Sequence, residues 1–71
     1  MARTSAKQKL GKNVRHYRKE AQLSQEQLGN LSGLGRSYIS GVERAERNPS
    51  LESLEKIAKV LNVKTTNLID S

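Results

Sequence analysis

Residues 24–44 read SQEQLGNLSGLGRSYISGVER, and the punctuation of this stretch decides the fold. Ser24 is a natural helix N-cap, and Gln27, three residues on, is placed to return a hydrogen bond to the cap backbone. A helix opening at Gln25 then carries Leu28 and Leu31 and stops near Gly33, which takes the left-handed conformation without a Cβ clash. After so short a turn a second helix, about Arg36 to Arg44, sets Ile39 and Val42 on one side. With about 100° per residue and these two pointing inward, Ser37 and Arg44 point outward, Ser40 and Gly41 lie beside them, and Arg36 and Tyr38 flank the face.

Helical periodicity extends in both directions. Leu10, Val14, Tyr17 and Ala21 form an i, i+4, i+7, i+11 stripe for a first helix from about Ala6 to Gln22, and residues 1–5 read as a loose basic arm. On the other side, RNPSLESL reads as a turn, because proline disfavours helix at Asn48 and Ser50 caps a helix that begins at Leu51. Leu51, Leu54, Ile57, Ala58 and Leu61 supply its stripe. Asn62 and Val63 break it, and KTTNLID holds a short fifth helix with Leu68 and Ile69 as its apolar content. Val and Thr never alternate over a useful length, so no strand is indicated. The expectation is all-α: five helices in one compact domain over residues 6–71.

A chain of 71 residues builds a core worth only about 3–5 kcal/mol, which makes help from an oligomer partner plausible. It has no cysteine and one histidine, His16, so thiolate metal sites and a histidine-based catalytic pair are disfavoured, as is a cofactor. The serines have no histidine beside them and the acids form no pair, so an enzyme is not expected. No apolar run approaches bilayer length and no signal region opens the chain, which predicts a soluble cytoplasmic protein without a membrane partner.

Thirteen Lys and Arg against seven Asp and Glu give a net charge of +6, which points to a polyanion. Met1 to Lys19 holds Arg3, Lys7, Lys9, Lys12, Arg15, Arg18 and Lys19 and no acid. The third helix supplies the reader. A face built only for solubility would use Glu, Lys or Gln, and choosing Ser40 and Gly41 instead sacrifices about 1 kcal/mol of helix propensity. Close approach to a surface justifies that loss. Arg matches the N7 and O6 acceptors of guanine, Ser serves several bases, and Tyr suits a thymine methyl or a phosphate. Two tyrosines and no Phe or Trp leave little to stack on splayed RNA bases, so duplex DNA is the favoured polymer.

SQEQLGNLSGLGRSYISGVERAERNPSLESLEKIAKVLNV resembles the Cro/phage-repressor helix-turn-helix superfamily, with a particular likeness to the controller proteins of restriction–modification systems, whose third helix carries a similar R-[ST]-Y-I-S-x-[IV]-E-R run. The resemblance covers roughly residues 10 to 69. It implies a lambda-repressor-like bundle in which helices 2 and 3 are the helix-turn-helix, and a sequence-specific transcriptional regulator of a restriction–modification or similar operon. Carried over residue by residue, it implies base reading by Arg36, Ser37, Tyr38 and Ser40, with Arg44, Arg47 and Asn48 at the DNA backbone or a groove edge. By helix position Arg44 joins the base readers, while Lys12 joins the backbone contacts by charge. Gln25 is implied to meet phosphate at the N-terminus of helix 2. Arg18 and Glu43 match a structural ion pair between the first and third helices.

The chain departs from the pattern at Ala45, where the family usually has glycine. A left-handed cap there would cost a residue with a Cβ roughly 1–2 kcal/mol, which predicts a third helix running on to Glu46. Leu31 stands where the family is usually polar, and Ser32 where it is usually small and apolar. Proteins of this type commonly bind as two-fold dimers to half-sites about 34–36 Å apart. Val63, Leu68 and Ile69 are the apolar residues available for a homodimer contact, with ordinary core packing as the competing use. RNA polymerase is a further candidate partner. The alternative function is a protein-binding module, antitoxin or coactivator-like, on the same fold.

Overall fold

The computed structural model describes residues 5–69, which form α1 (Ala6–Glu20), α2 (Gln25–Ser32), α3 (Arg36–Glu43), α4 (Leu51–Leu61) and α5 (Thr65–Ile69), with no strand among them. The expected arm lies outside the described residues except for Ser5, which belongs to the fold as the cap of α1.

Three helices open on a serine. Ser5 Oγ accepts from Gln8 N–H at 3.1 Å while Gln8 Oε1 accepts from Ser5 N–H at 3.1 Å. Ser24 and Gln27 form the same box at 3.0 and 2.8 Å. Ser50 Oγ accepts from Ser53 N–H at 3.1 Å. Each cap is worth about 1 kcal/mol, a sizeable share of what so small a core supplies.

The ends of α1 and α3 depart from the sequence reading, while α2 ends at Gly33 and α4 at Asn62 as expected. α1 stops at Glu20, short of Gln22, because Gln22 turns left-handed at φ 59°. α3 stops at Glu43 and does not run on to Glu46, because Ala45 turns left-handed at φ 61°. Around Ala45 its own N–H donates to Val42 O at 3.1 Å and Glu46 N–H donates to Gly41 O at 2.8 Å, so two otherwise orphaned carbonyls of α3 find donors. Those two hydrogen bonds offset the strain of a Cβ in this region. Asn62 ends α4 in the same way.

Every helix sends side chains to one core: Leu10 and Val14 from α1, Leu28 from α2, Ile39 and Val42 from α3, Leu54, Ile57, Ala58 and Leu61 from α4, and Leu68 from α5. Two leucines expected in apolar stripes are not in it, since Leu31 is 63% and Leu51 64% exposed. Ser32 is buried in place of Leu31, its hydroxyl donating to Gly29 O at 3.3 Å. α2 packs on α3 and α4, and α1 spans α3 and α5. A Cβ on Gly29 would lie 2.5 Å from the carbonyl carbon of Gly35, and one on Gly11 2.6 Å from Val42 O. α3 is thus gripped by bare backbone at both ends. Asn13 Nδ2 donates to Leu68 O at 2.8 Å and ties α5 to α1.

Candidate nucleic-acid interface

α3 is seated by Ile39 and Val42, both essentially fully buried, and by the side chain that follows them. Glu43 Oε2 accepts from Arg18 Nε at 2.7 Å, and Glu43 Oε1 accepts from Arg18 Nη2 at 3.0 Å and from Gln25 Nε2 at 3.1 Å. Arg18 Nη1 donates to Leu23 O at 2.8 Å. The side chains are only 11% (Arg18) and 5% (Glu43) exposed. This bidentate pair joins α1 to α3, as the resemblance implied, and Gln25 adds α2. The Gln25 side-chain amide is therefore committed to Glu43, which leaves the helix N-terminal backbone of α2 as its means of meeting an anion.

With that side fixed inward, Arg36, Ser37 and Arg44 are exposed, while Tyr38 and Ser40 are half-buried. Gly41 differs from expectation: it is buried, with Arg47 lying across it, so that a Cβ there would sit 3.4 Å from Arg47 Cβ and 3.5 Å from Arg47 Nε. The Arg47 guanidinium stacks on the Tyr38 ring at 4.9 Å from its centroid. The cause is the turn at Ala45, which folds the chain back so that Arg47 N–H reaches Gly41 O at 3.2 Å. Periodicity within one helix carries no signal for a residue that returns from beyond its end.

Three shallow clefts surround α3. The first, on the outward face, is lined by Ser37, Gly41, Arg44, Glu46, Arg47 and Asn48. Another, beside the N-termini of α2 and α3, is lined by Arg18, Ser24, Gln25, Glu26 and Arg36. A third, where α1 crosses the end of α3, is lined by Gln8, Lys12, Arg15, Glu43, Arg44 and Ala45. Arg44 belongs to the first and the third, so Lys12 stands next to the outward face without being on it. Sequence reasoning missed Gln8 and Arg15 as neighbours of Arg44; the Gln8–Lys12–Arg15 spacing was the available signal. It also missed Glu46, the one carboxylate lining the outward cleft among the described residues.

The three residues expected at a dimer contact separate. Leu68 is wholly buried in the core and has no surface to offer, Val63 is half-buried, and Ile69 is 45% exposed. His16 is exposed, its ring edge-on to Tyr17 at 5.0 Å. Among the described residues no His, Cys, Asp and Glu side chains gather as metal ligands would, and no helix is long and apolar enough to cross a membrane.

Residues 14–68 match a family model described as helix-turn-helix. Over 63 residues, 89% of this chain and 75% of the other, the sequence is 51% identical to the control protein C.SmaI of Serratia marcescens. The crystal structure of the restriction–modification controller protein C.AhdI from Aeromonas hydrophila superposes with a TM-score of 0.85 at 45% identity, covering 87% of this chain and 94% of that one. The biofilm regulator SinR of Bacillus subtilis, in its crystal structure with DNA, superposes with a TM-score of 0.83 at 39% identity, covering 86% and 98% of the two chains. Against full-length SinR, this chain spans 56% of the regulator.

Proposed function

This chain belongs to the helix-turn-helix family of DNA-binding transcriptional regulators, and from that premise we propose that it is a non-catalytic cytoplasmic controller, reading a two-fold DNA operator of a restriction–modification operon. The observation that carries the reading is the division of α3: Ile39 and Val42 are sealed in the core while Arg36, Ser37 and Arg44 stand outside on a helix locked by Glu43. Such a rigid, positively flanked rod fits the major groove, which admits one α-helix. The control role is supported by the likeness to C.SmaI and C.AhdI.

Arg36 leads the reading with a bidentate contact to guanine, and Ser37, Ser40, Tyr38 and Arg44 complete it. Tyr38 contributes its hydroxyl and ring edge, because its face is already covered by Arg47. Phosphates on either side are met by the N-terminus of α2 at Gln25, by Arg47 and Asn48 after α3, and by Lys12 from α1. Two copies, joined through the surface that carries Ile69, present two such helices one turn of DNA apart. A regulator placed at a promoter in this way also comes within reach of RNA polymerase.

Selection from random-sequence duplexes, followed by gel shift over a salt series, tests the proposal. A motif with two-fold related half-sites is the expected product. Arg36→Ala should relax base preference at one position, by about 1–3 kcal/mol of lost discrimination. Lys12→Ala and Arg47→Ala should weaken all duplexes alike and lower the salt slope by about 0.9 for each phosphate contact removed. No enriched motif would overturn the proposal in favour of a protein-binding module.

A further inference from the structure

The outward cleft contains an acid in the place where a polyanion is to be received. Glu46 lines it together with Ser37, Gly41, Arg44, Arg47 and Asn48, and there is no second carboxylate among these lining residues. Its Oε1 lies 3.1 Å from Arg44 Nη2, and both side chains are 63% exposed. Glu46 is not there through the freedom of a loop. The left-handed Ala45 and the hydrogen bond from Glu46 N–H to Gly41 O at 2.8 Å hold residue 46 against the last turn of α3. Arg44, as the C-cap of that helix, is held equally.

We propose that Glu46 is a specificity-determining residue: it keeps the Arg44 guanidinium in an internal ion pair and sets a like charge against the phosphate backbone. Arg44 has donors to spare, so it meets a guanine edge while Nη2 stays on this carboxylate, whereas a phosphate has to displace the carboxylate. The proposal rests on the DNA-reading role argued above. An exposed ion pair is weak enough for a phosphate to exchange with, whereas a bidentate contact to a guanine edge takes two donors in a fixed geometry and leaves the pair in place. A phosphate on random DNA must displace Glu46 and tolerate it nearby, and gains only a nonselective charge contact in return. Binding outside the operator therefore falls below what a net charge of +6 would give, and the ratio of specific to nonspecific affinity is the quantity that matters in a genome.

Glu46→Gln keeps shape and backbone N–H while removing the charge, and Glu46→Ser removes the reach as well. Each is measured against the selected operator and against a random duplex of equal length over a salt series, with thermal melting to confirm the fold. The random duplex should bind roughly three- to tenfold tighter with a salt slope steeper by about 0.9, one added phosphate contact, while the operator changes by less than about twofold. In an Arg44→Gln background the gain should disappear. Equal gains on both duplexes, no gain, or a gain that persists without Arg44 would overturn the role of Glu46. Loss on the operator alone would overturn it too, making Glu46 a direct reader of cytosine. A parent protein that selects no motif would overturn the DNA-reading role as well, so the two failures are distinguishable.

Discussion

Ala45 holds a left-handed backbone at φ 61° that costs a residue with a Cβ about 1–2 kcal/mol, and glycine would return part of this through its own loss of freedom on folding. Ala45→Gly should therefore stabilise the fold by about 0.5–1 kcal/mol, seen as a melting temperature several degrees higher. The opposite result follows at Arg18. Removing its guanidinium leaves Glu43, 5% exposed, with Gln25 as its remaining hydrogen-bond partner, a loss of about 3–5 kcal/mol that consumes the whole stability of so small a core. Circular dichroism at 25 °C should show Arg18→Ala largely unfolded. The double change Arg18→Met with Glu43→Leu should recover most of the helical signal, because it removes both charges together. If the double variant is as unfolded as the single one, the pair acts through its hydrogen bonds to Leu23 and Gln25 more than through its charge. The ion pair was legible in the sequence only through the family resemblance. Residues 25 apart carry no local signal of their meeting, and what Gln25 does with its amide is equally invisible.

The caps of α2 and α4 and the ends at Gly33 and Asn62 were legible, while the cap of α1 and the ends of α1 and α3 were not. Ser24 and Ser50 act on backbone within three residues, so their caps are written in adjacent letters, and Ser5 acts in the same way although its basic surroundings read as an arm. The ends at Gln22 and Ala45 depend on carbonyls accepting from a chain that has already turned, so they carry no glycine to announce them. The outward face of α3 was legible in Arg36, Ser37 and Arg44, and misread at Gly41, which Arg47 covers from beyond the helix. Gly11, one of the two glycines that set the helix contacts, was not legible, since a glycine inside a basic helix looks like an accident of composition. A Cβ there would meet the backbone carbonyl oxygens of Val42 and Glu43 at 2.6 and 2.7 Å, which cannot rotate away. Gly11→Ala should force α1 off the end of α3 and cost about 1–3 kcal/mol of overpacking. The displacement carries Lys12 and Arg15 with it, so operator affinity should fall even at temperatures where the variant stays folded. Unchanged melting and unchanged binding would show that α1 has room to slide.

At the scale of the molecule the question is how one eight-residue helix holds an operator against a genome of competitors. A few base contacts at about 1–3 kcal/mol each fall short of the several kcal/mol that separate specific from nonspecific binding, unless two copies act together. The surface for that pairing has to be rigid and partly apolar, and α5 meets both conditions. Leu68 pins it in the core, Asn13 fastens the Leu68 carbonyl to α1, and Ile69 is left 45% exposed beside a hollow bordered by Leu10, Pro49 and Leu54. Adjacent residues therefore make opposite predictions. Leu68→Ala opens a cavity and costs about 2–5 kcal/mol, so it should unfold the chain whatever the oligomeric state. Ile69 is not one of the core residues, and Ile69→Lys should leave the melting of the isolated chain within about 0.5 kcal/mol of the parent. In sedimentation the parent should run as a dimer and the variant as a monomer, and the variant should bind a full two-fold operator about 100-fold or more weakly, because the second half-site loses its tethered partner. On a single half-site the same variant should bind like the parent. An Ile69→Lys protein that remains a dimer with full operator affinity would place the contact between copies elsewhere, with Leu51, 64% exposed at the start of α4, as the next residue to test.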